Sequence, residues 1–363
     1  MLLTLIRRRW TVLTTTIGVV AILAVVACGG SGAGQGGDTG NANTIEVNTA
    51  GIQFADRLVV YNGRSHYGDE QVFRDFEDRT GVNIELRGGT APELFERLRQ
   101  EGADTPADLL ITTDLANLWR AEQAGLLQGV SSEPLRAQVP ERLHDGGGAW
   151  WALSTRLRVP VVSTERVPAG AVTDYADLGD PQFAGRTCLR TSNSEYNQSL
   201  VADMIAKRGP EATEALLRSW MANKPDILGS DGEMLAVIAA GGCDVGLTNH
   251  YYLGRALQQN PDFPVAPAWP DQAGVGAHAN VSGVGVVRGS DAVPTAVALM
   301  EWLTSPSAQQ EIVTQTEFAA NPDVPPPAQF RDWADVKIDP IAVEKVGPLL
   351  DDAVALMLEV GWN

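Results

Sequence analysis

From residue 57 onward the chain alternates short apolar runs with helical patterns, and that alternation limits the folds open to it. RLVVYN (57–62) reads as a strand, and EQVFRDFEDRTGV follows with a helical stripe of Val72, Phe73 and Phe76 and a stop at Gly81. NIELRGG, APELFERLRQEG, ADLLITTD and LANLWRAEQAGLL repeat the strand–helix sequence twice more. A second unit follows TRLRVPVVST (155–164), with strands in RTCLRTS and CDVGLTN and helices in NQSLVADMIAKRG, EATEALLRSWMANK and GEMLAVIAAGG. ANVSGVGVVRG (279–289) reads as a strand leading back, and PTAVALMEWLTSPSAQQEIV as one amphipathic helical region. Strands alternating with helices predict α/β structure, with a mostly parallel sheet covered on both faces. The apolar segments near 158 and 284 are natural crossovers between two lobes. The expected division is 56–158 with 285–363 as a discontinuous lobe 1 and 159–284 as lobe 2, with a ligand cleft between them. Ligands on such sheets bind beyond the carboxyl ends of the strands, so NGRSHYGDE (62–70) and RTSNSEYNQSL face the cleft.

The N-terminus indicates the compartment. Arg7, Arg8 and Arg9 precede an apolar run from Thr11 to Ala27 that ends in VVAC. Basic, apolar and small-residue segments in that order describe a secretory signal over 1–27. With Cys28 directly after Ala27, the segment resembles a bacterial lipoprotein signal, whose cysteine becomes the lipidated N-terminus. The other reading is an uncleaved membrane anchor, since spanning takes roughly 17–25 residues. GGSGAGQGGDTGNANT, which follows Cys28, has the composition of a flexible tether, so 28–55 is expected to be lipidated cysteine plus leash. Removing Cys28 from the three cysteines leaves Cys188 and Cys243, each at the start of a strand-like run. In an oxidising compartment they suit a disulfide, worth on the order of 4 kcal/mol for a loop of roughly fifty residues; two buried free thiols are the alternative. The formal net charge of −18 becomes more negative by three when Arg7–Arg9 are lost. Such a surface repels nucleic acid.

Catalytic signatures are missing. GxSxG, HExxH, a P-loop and a GxGxxG after a strand do not occur, and GGG at 146–148 sits in a turn-like stretch. The four histidines (66, 144, 250 and 278) lack zinc-like spacing, and His144 and His278 read as ordinary polar residues. Nothing here argues for an enzyme.

Tyrosine placement argues for a binding site. The chain has six tyrosines, and Tyr67, Tyr196, Tyr251 and Tyr252 fall in loops beside strand ends. If Asn249 caps a helix, Tyr251 and Tyr252 lie in its first turn, about 100° apart, and can converge on one point. A helix N-terminus favours negative charge and so suits phenolates. Phenolate is a hard anionic oxygen donor, and a phenol with a pKa of about 10 needs a strong cation such as Fe³⁺ to ionise it. Three phenolates from Tyr196, Tyr251 and Tyr252 would neutralise Fe³⁺. Spacing alone equally suits a tyrosine pair that packs, or stacks on an organic ligand.

CLRTSNSEYNQSLVADMIA, AAGGCDVGLTNHYYLGR, HANVSGVGVV and the closing ALMLEVGWN resemble the periplasmic ferric-iron-binding proteins of bacterial ABC importers, most nearly the cyanobacterial FutA-like type. The resemblance runs over nearly all of residues 57–363. It implies a hinged periplasmic-binding-protein fold, iron held between the lobes by a tyrosine-rich site, a disulfide matching Cys188 and Cys243, and delivery to a membrane permease. Tyr196, Tyr251 and Tyr252 stand where that family has iron ligands. Two departures follow. The family motif reads like SRHY after the first strand, whereas here GRSHY puts Ser65 in the His place and His66 in the Tyr place, with Tyr67 one step beyond. His66 is the candidate ligand there and Tyr67 the weaker one. Where the family has a tyrosine at the end of the crossover, as in RxRxxxY, this chain has Val162, so water or a small anion held by Arg64, Arg158 or Arg190 would complete the shell.

These features lead to one expectation: a monomeric, lipid-anchored solute-binding protein outside the cell membrane that captures Fe³⁺ and passes it to an ABC permease with its ATPase subunits. A carrier for another small anion or an iron chelate is the alternative within binding proteins. A secreted hydrolase or a signalling lipoprotein is the alternative of another class.

Overall fold

The structure is a computed structural model that describes residues 44–64, 70–314, 316–339 and 343–363. The expectations at Cys28, the signal segment, the leash before residue 44, Ser65, His66 and Tyr67 lie outside those residues. Among the described residues no helix is long and apolar enough to cross a membrane.

The predicted strand–helix order is present. Strands β1 (Arg57–Asn62), β2 (Asn83–Gly88) and β3 (Leu109–Thr112) alternate with helices α1 (Glu70–Thr80), α2 (Ala91–Glu101) and α3 (Leu115–Gln123). β1 pairs in parallel with both β2 and β3. The second half contains β5 (Thr187–Arg190), β6 (Asp226–Leu228) and β7 (Val245–Asn249), with α4 (Glu195–Arg208), α5 (Pro210–Ala222), α6 (Asp231–Ala239) and α7 (His250–Gln259) between and after them. There β5 pairs in parallel with β6 and β7.

Two long antiparallel strands join the halves. β4 (Trp151–Ser163) lies beside β9 (Ala279–Val287) through its first seven residues, then turns its second part to β7 and to the short β8 (Val265–Pro267). The sheet order is β2–β1–β3–β9–β4–β7–β5–β6. Both strands are buried almost throughout, which is why their apolar residues do not follow a strict in–out alternation. The crossovers inferred near 158 and 284 are these two strands.

Each half has its own apolar core, as a two-lobe molecule requires. Leu58, Val60, Leu110, Val284, Val286 and Leu299 belong to the first, and Leu189, Leu200, Trp220, Leu247, Met357 and Trp362 to the second. The closing helix α10 (Leu350–Glu359) packs on α4 in the second core, and the Trp362 indole donates to the Arg190 carbonyl at 2.8 Å. The helical region over 294–313 consists of two helices, α8 (Val293–Thr304) and α9 (Pro306–Val313), because Pro306 cannot continue α8 and Ser305 caps α9. GGG is a turn, as expected. Gly148 has φ +73°, and a Cβ there would run into the Val130 backbone.

Candidate metal centre

Two helix starts carry the tyrosines. α4 begins at the end of β5 and ends at Gly209, whose φ of +81° suits only glycine, with Pro210 after it. Leu200, Val201, Met204 and Ile205 bury one side of α4, and Tyr196 sits in its first turn. α7 begins directly after β7, with Asn249 at the cap position as predicted. The Asn249 carboxamide does not cap the helix, however. Its Oδ1 accepts from the Arg158 guanidinium at 3.4 Å, and its Nδ2 donates to the Tyr251 hydroxyl at 3.5 Å. Tyr251 and Tyr252 share the first turn and their rings stack, with centroids 4.5 Å apart. Tyr251 is buried and Tyr252 half-buried.

Tyr196 and Tyr252 line one cavity of about 670 Å³ together with Thr113, Asp114, Arg120, Arg190, Ser194 and Glu195, among others. Three guanidiniums face the rings. Arg156 lies 5.1 Å and Arg190 5.6 Å from the Tyr196 ring, and Arg255 lies 4.8 Å from the Tyr251 ring. Such cation–π contacts are worth more when desolvated, and Arg156 is 2 % exposed. Burial works against the Arg156 charge, yet Tyr196, Glu317 and Tyr251 raise its pKa overall. Glu317 lies buried among Arg64, Arg156 and Arg255. Burial opposes its ionisation, but Arg64, Arg156 and the Ser154 hydroxyl hold the carboxyl down at about 2, and Arg64 pairs with it at 3.2 Å.

The three candidate anion-binding arginines separate. Arg158 is 2 % exposed and is a brace rather than a clamp: it donates to Asn197 Oδ1 at 2.7 and 3.0 Å and to Asp231 at 2.8 Å. Arg64 is likewise buried, on Ser154 and Glu317. Arg190 lines the cavity, with its Nη1 3.8 Å from Asp231 Oδ2 and its Nε without a hydrogen bond among the described residues. The Ser194 hydroxyl at the cap of α4 is also buried and without a partner.

Val162 is elsewhere. It lines a separate cavity of about 680 Å³ with Val167, Val172, Pro267 and Trp269, so a side chain there faces that cavity rather than the one lined by the tyrosines. Cys188 and Cys243 are joined in a disulfide that ties the start of β5 to the approach of β7. His250, which flanks the tyrosines, is internal. Its Nδ1 accepts from the Leu157 backbone N–H at 3.0 Å, its ring stacks on Phe318, and burial pushes its pKa down to about 4.

Sequence reasoning passed over Arg156, Arg255, Glu195 and Glu317. An RxR pattern inside an apolar strand was the available signal for Arg156, because two positions two apart on a buried strand face one side. Glu195 is partly exposed, and burial followed by the Asp114 carboxylate pushes its carboxyl pKa up, while the Thr113 hydroxyl works the other way.

Residues 71–338 match the family model of bacterial extracellular solute-binding proteins. The chain belongs to that family. Iron uptake protein A1 of Synechocystis is 36% identical over 312 residues, covering 84% of this chain and 87% of that protein. The structure of Trichodesmium FutA (IdiA) in complex with iron and citrate ligands superposes with a TM-score of 0.78 at 33% identity, covering 85% of this chain and all of that one. Apo FutA2 from Synechocystis superposes with a TM-score of 0.76 at 34% identity and the same coverage. The chain is a FutA-like solute-binding protein with the two-lobe binding-protein fold, a transport component and not an enzyme.

Proposed function

We propose that the chain captures ferric iron in the cleft between its lobes and delivers it to an ABC importer in the membrane, with Tyr196, Tyr251 and Tyr252 as phenolate ligands. One observation carries this reading: Tyr196 and Tyr252, from two helix starts, line one cavity, with Tyr251 stacked on Tyr252 and the guanidiniums of Arg156, Arg190 and Arg255 over the rings. Hard anionic oxygens at helix N-termini suit a trivalent cation. His66, with Tyr67 as the weaker candidate, would add a further donor. The lipid anchor at Cys28, the monomeric state and a lobe 2 beginning near residue 159 belong to the same proposal.

Ferric iron added to the metal-free protein should produce a visible tyrosinate charge-transfer band and raise Tm with iron concentration. A protein that stays colourless and gains no thermal stability overturns the assignment.

The cavity has room for more than an ion. Together with the Arg190 guanidinium on its lining, this favours iron accompanied by a small carboxylate anion. Added citrate should then shift the band and tighten binding in the wild type, but not in Arg190→Ala.

A further inference from the structure

The two walls of the cleft touch beside the tyrosines. Thr113, the residue after β3, donates its hydroxyl to Glu195 Oε1 at 2.6 Å, and Glu195 opens α4 directly before Tyr196. One turn further along α4, Ser199 donates to Asp114 Oδ2 at 2.6 Å. Glu195 and Ser199 are four residues apart and so share one helix face, and they meet two consecutive residues of the other wall. The two contacts differ in depth. Asp114 and Ser199 are buried, and the same Asp114 oxygen accepts from Asn280 on the crossover strand β9 at 2.7 Å. That contact is on the hinge. Thr113 and Glu195 line the cavity itself, farther from the strands about which the lobes turn.

We propose that the Thr113–Glu195 hydrogen bond is a latch across the cleft, with Glu195 as a positioning residue that holds the first turn of α4, and hence Tyr196, against the opposite wall while the cargo is bound. The hinge-side contact keeps the walls in register, and the outer one sets how long they stay shut. A hydroxyl-to-carboxylate bond is stronger than a neutral pair, yet it involves one bond and breaks without unfolding either lobe. Opening removes Thr113 from Glu195, leaves the carboxylate to water, and frees α4 to carry Tyr196 away from the other wall. The latch rests on the ferric reading above, and it concerns the rate of release rather than the identity of the ligands.

The test is a double-mutant cycle on the full chain loaded with ferric iron, following loss of the charge-transfer band to an excess of a competing chelator. Thr113→Val and Glu195→Ala should each speed release about tenfold. The double variant should be no faster than either single one, because both remove the same bond. Thr113→Ser, which keeps the hydroxyl, should release iron as the wild type does, and the band maximum should not move in any variant. Unchanged rates, or effects that multiply in the double variant, overturn the latch. A shifted band in Glu195→Ala alone also overturns it, because the carboxylate would then be a ligand. If Glu195→Ala does not fold, Thr113→Val against Thr113→Ser still decides. A wild-type protein that never develops the band counts against the iron reading and not against the latch.

Discussion

The two walls of the cleft are built differently. On the second-half wall, the tyrosines stand on helix starts that follow directly from strands, and the support beneath them is rigid. Arg158 reaches from the crossover strand to Asn197 on α4 and Asp231 on α6, and the disulfide pins β5 to the approach of β7. The first-half wall offers Thr113 and Asp114, which join β3 to α3. The second wall is braced from beneath, and the first meets it through Thr113 and Asp114. A hinged binding protein gains from that asymmetry, since a preformed half-site captures the ion without ordering both lobes at once.

The largest effect should come from the braced wall. Tyr251→Phe with Tyr252→Phe should abolish both the visible band and the iron-dependent rise in Tm, whereas His66→Ala should weaken binding and keep the colour. Equal loss from the two variants would break the comparison. Next comes the brace. Asp231→Ala leaves Arg158 buried without its carboxylate, which should cost about 3–5 kcal/mol in urea unfolding of the metal-free protein. A smaller loss would mean that Asn197 and Asn249 alone satisfy the guanidinium.

The strand–helix alternation made the fold legible because buried strands and amphipathic helices write their periods into the sequence, and β4 and β9 were recognisable as crossovers for the same reason. Tyr196, Tyr251 and Tyr252 could be placed because strand ends and helix starts are local features. What surrounds them is not local. Arg255 reaches Tyr251 within one helix, but Arg156 meets Tyr196 forty residues away and Glu317 meets Arg64 across 253 residues. Residue type alone did not separate Arg158, a brace, from Arg190, which faces the cavity; only the packing of α4 and α6 does. Likewise α10 looks in sequence like any terminal amphipathic helix, and its choice of the second core appears only in its packing there and in Trp362 against Trp220.

The disulfide gives the third effect in size. Cys188 and Cys243 are 55 residues apart, so reduction should destabilise the metal-free protein by roughly 4 kcal/mol in the chain-entropy model. The loss should concentrate in the second half, with hydrogen-exchange protection falling in β5 and β7 and holding in β1 and β3. Uniform loss would show that the two cores unfold as one unit.

The smallest effect belongs to the first half and separates it by pH. Glu122 on α3 has its carboxyl pushed up to about 7 from 4.5, by burial and then by the Asp145 carboxylate, with Trp150 opposing. Below pH 4.5 both folded and unfolded chains hold the proton, and the group costs nothing. Between 4.5 and 7 the unfolded chain ionises first, so stability falls as pH rises, and the full cost is in place above 7. Glu122→Gln removes that cost. The variant should exceed the wild type by roughly 1–2 kcal/mol at pH 8, a figure reduced for the partial exposure of the group, and the gap should close near pH 4.5. Because Glu122 lies outside the cavity, the iron band should be unchanged throughout. A gap of equal size at both pH values would mean that the gain comes from packing and not from a carboxylate forced to ionise.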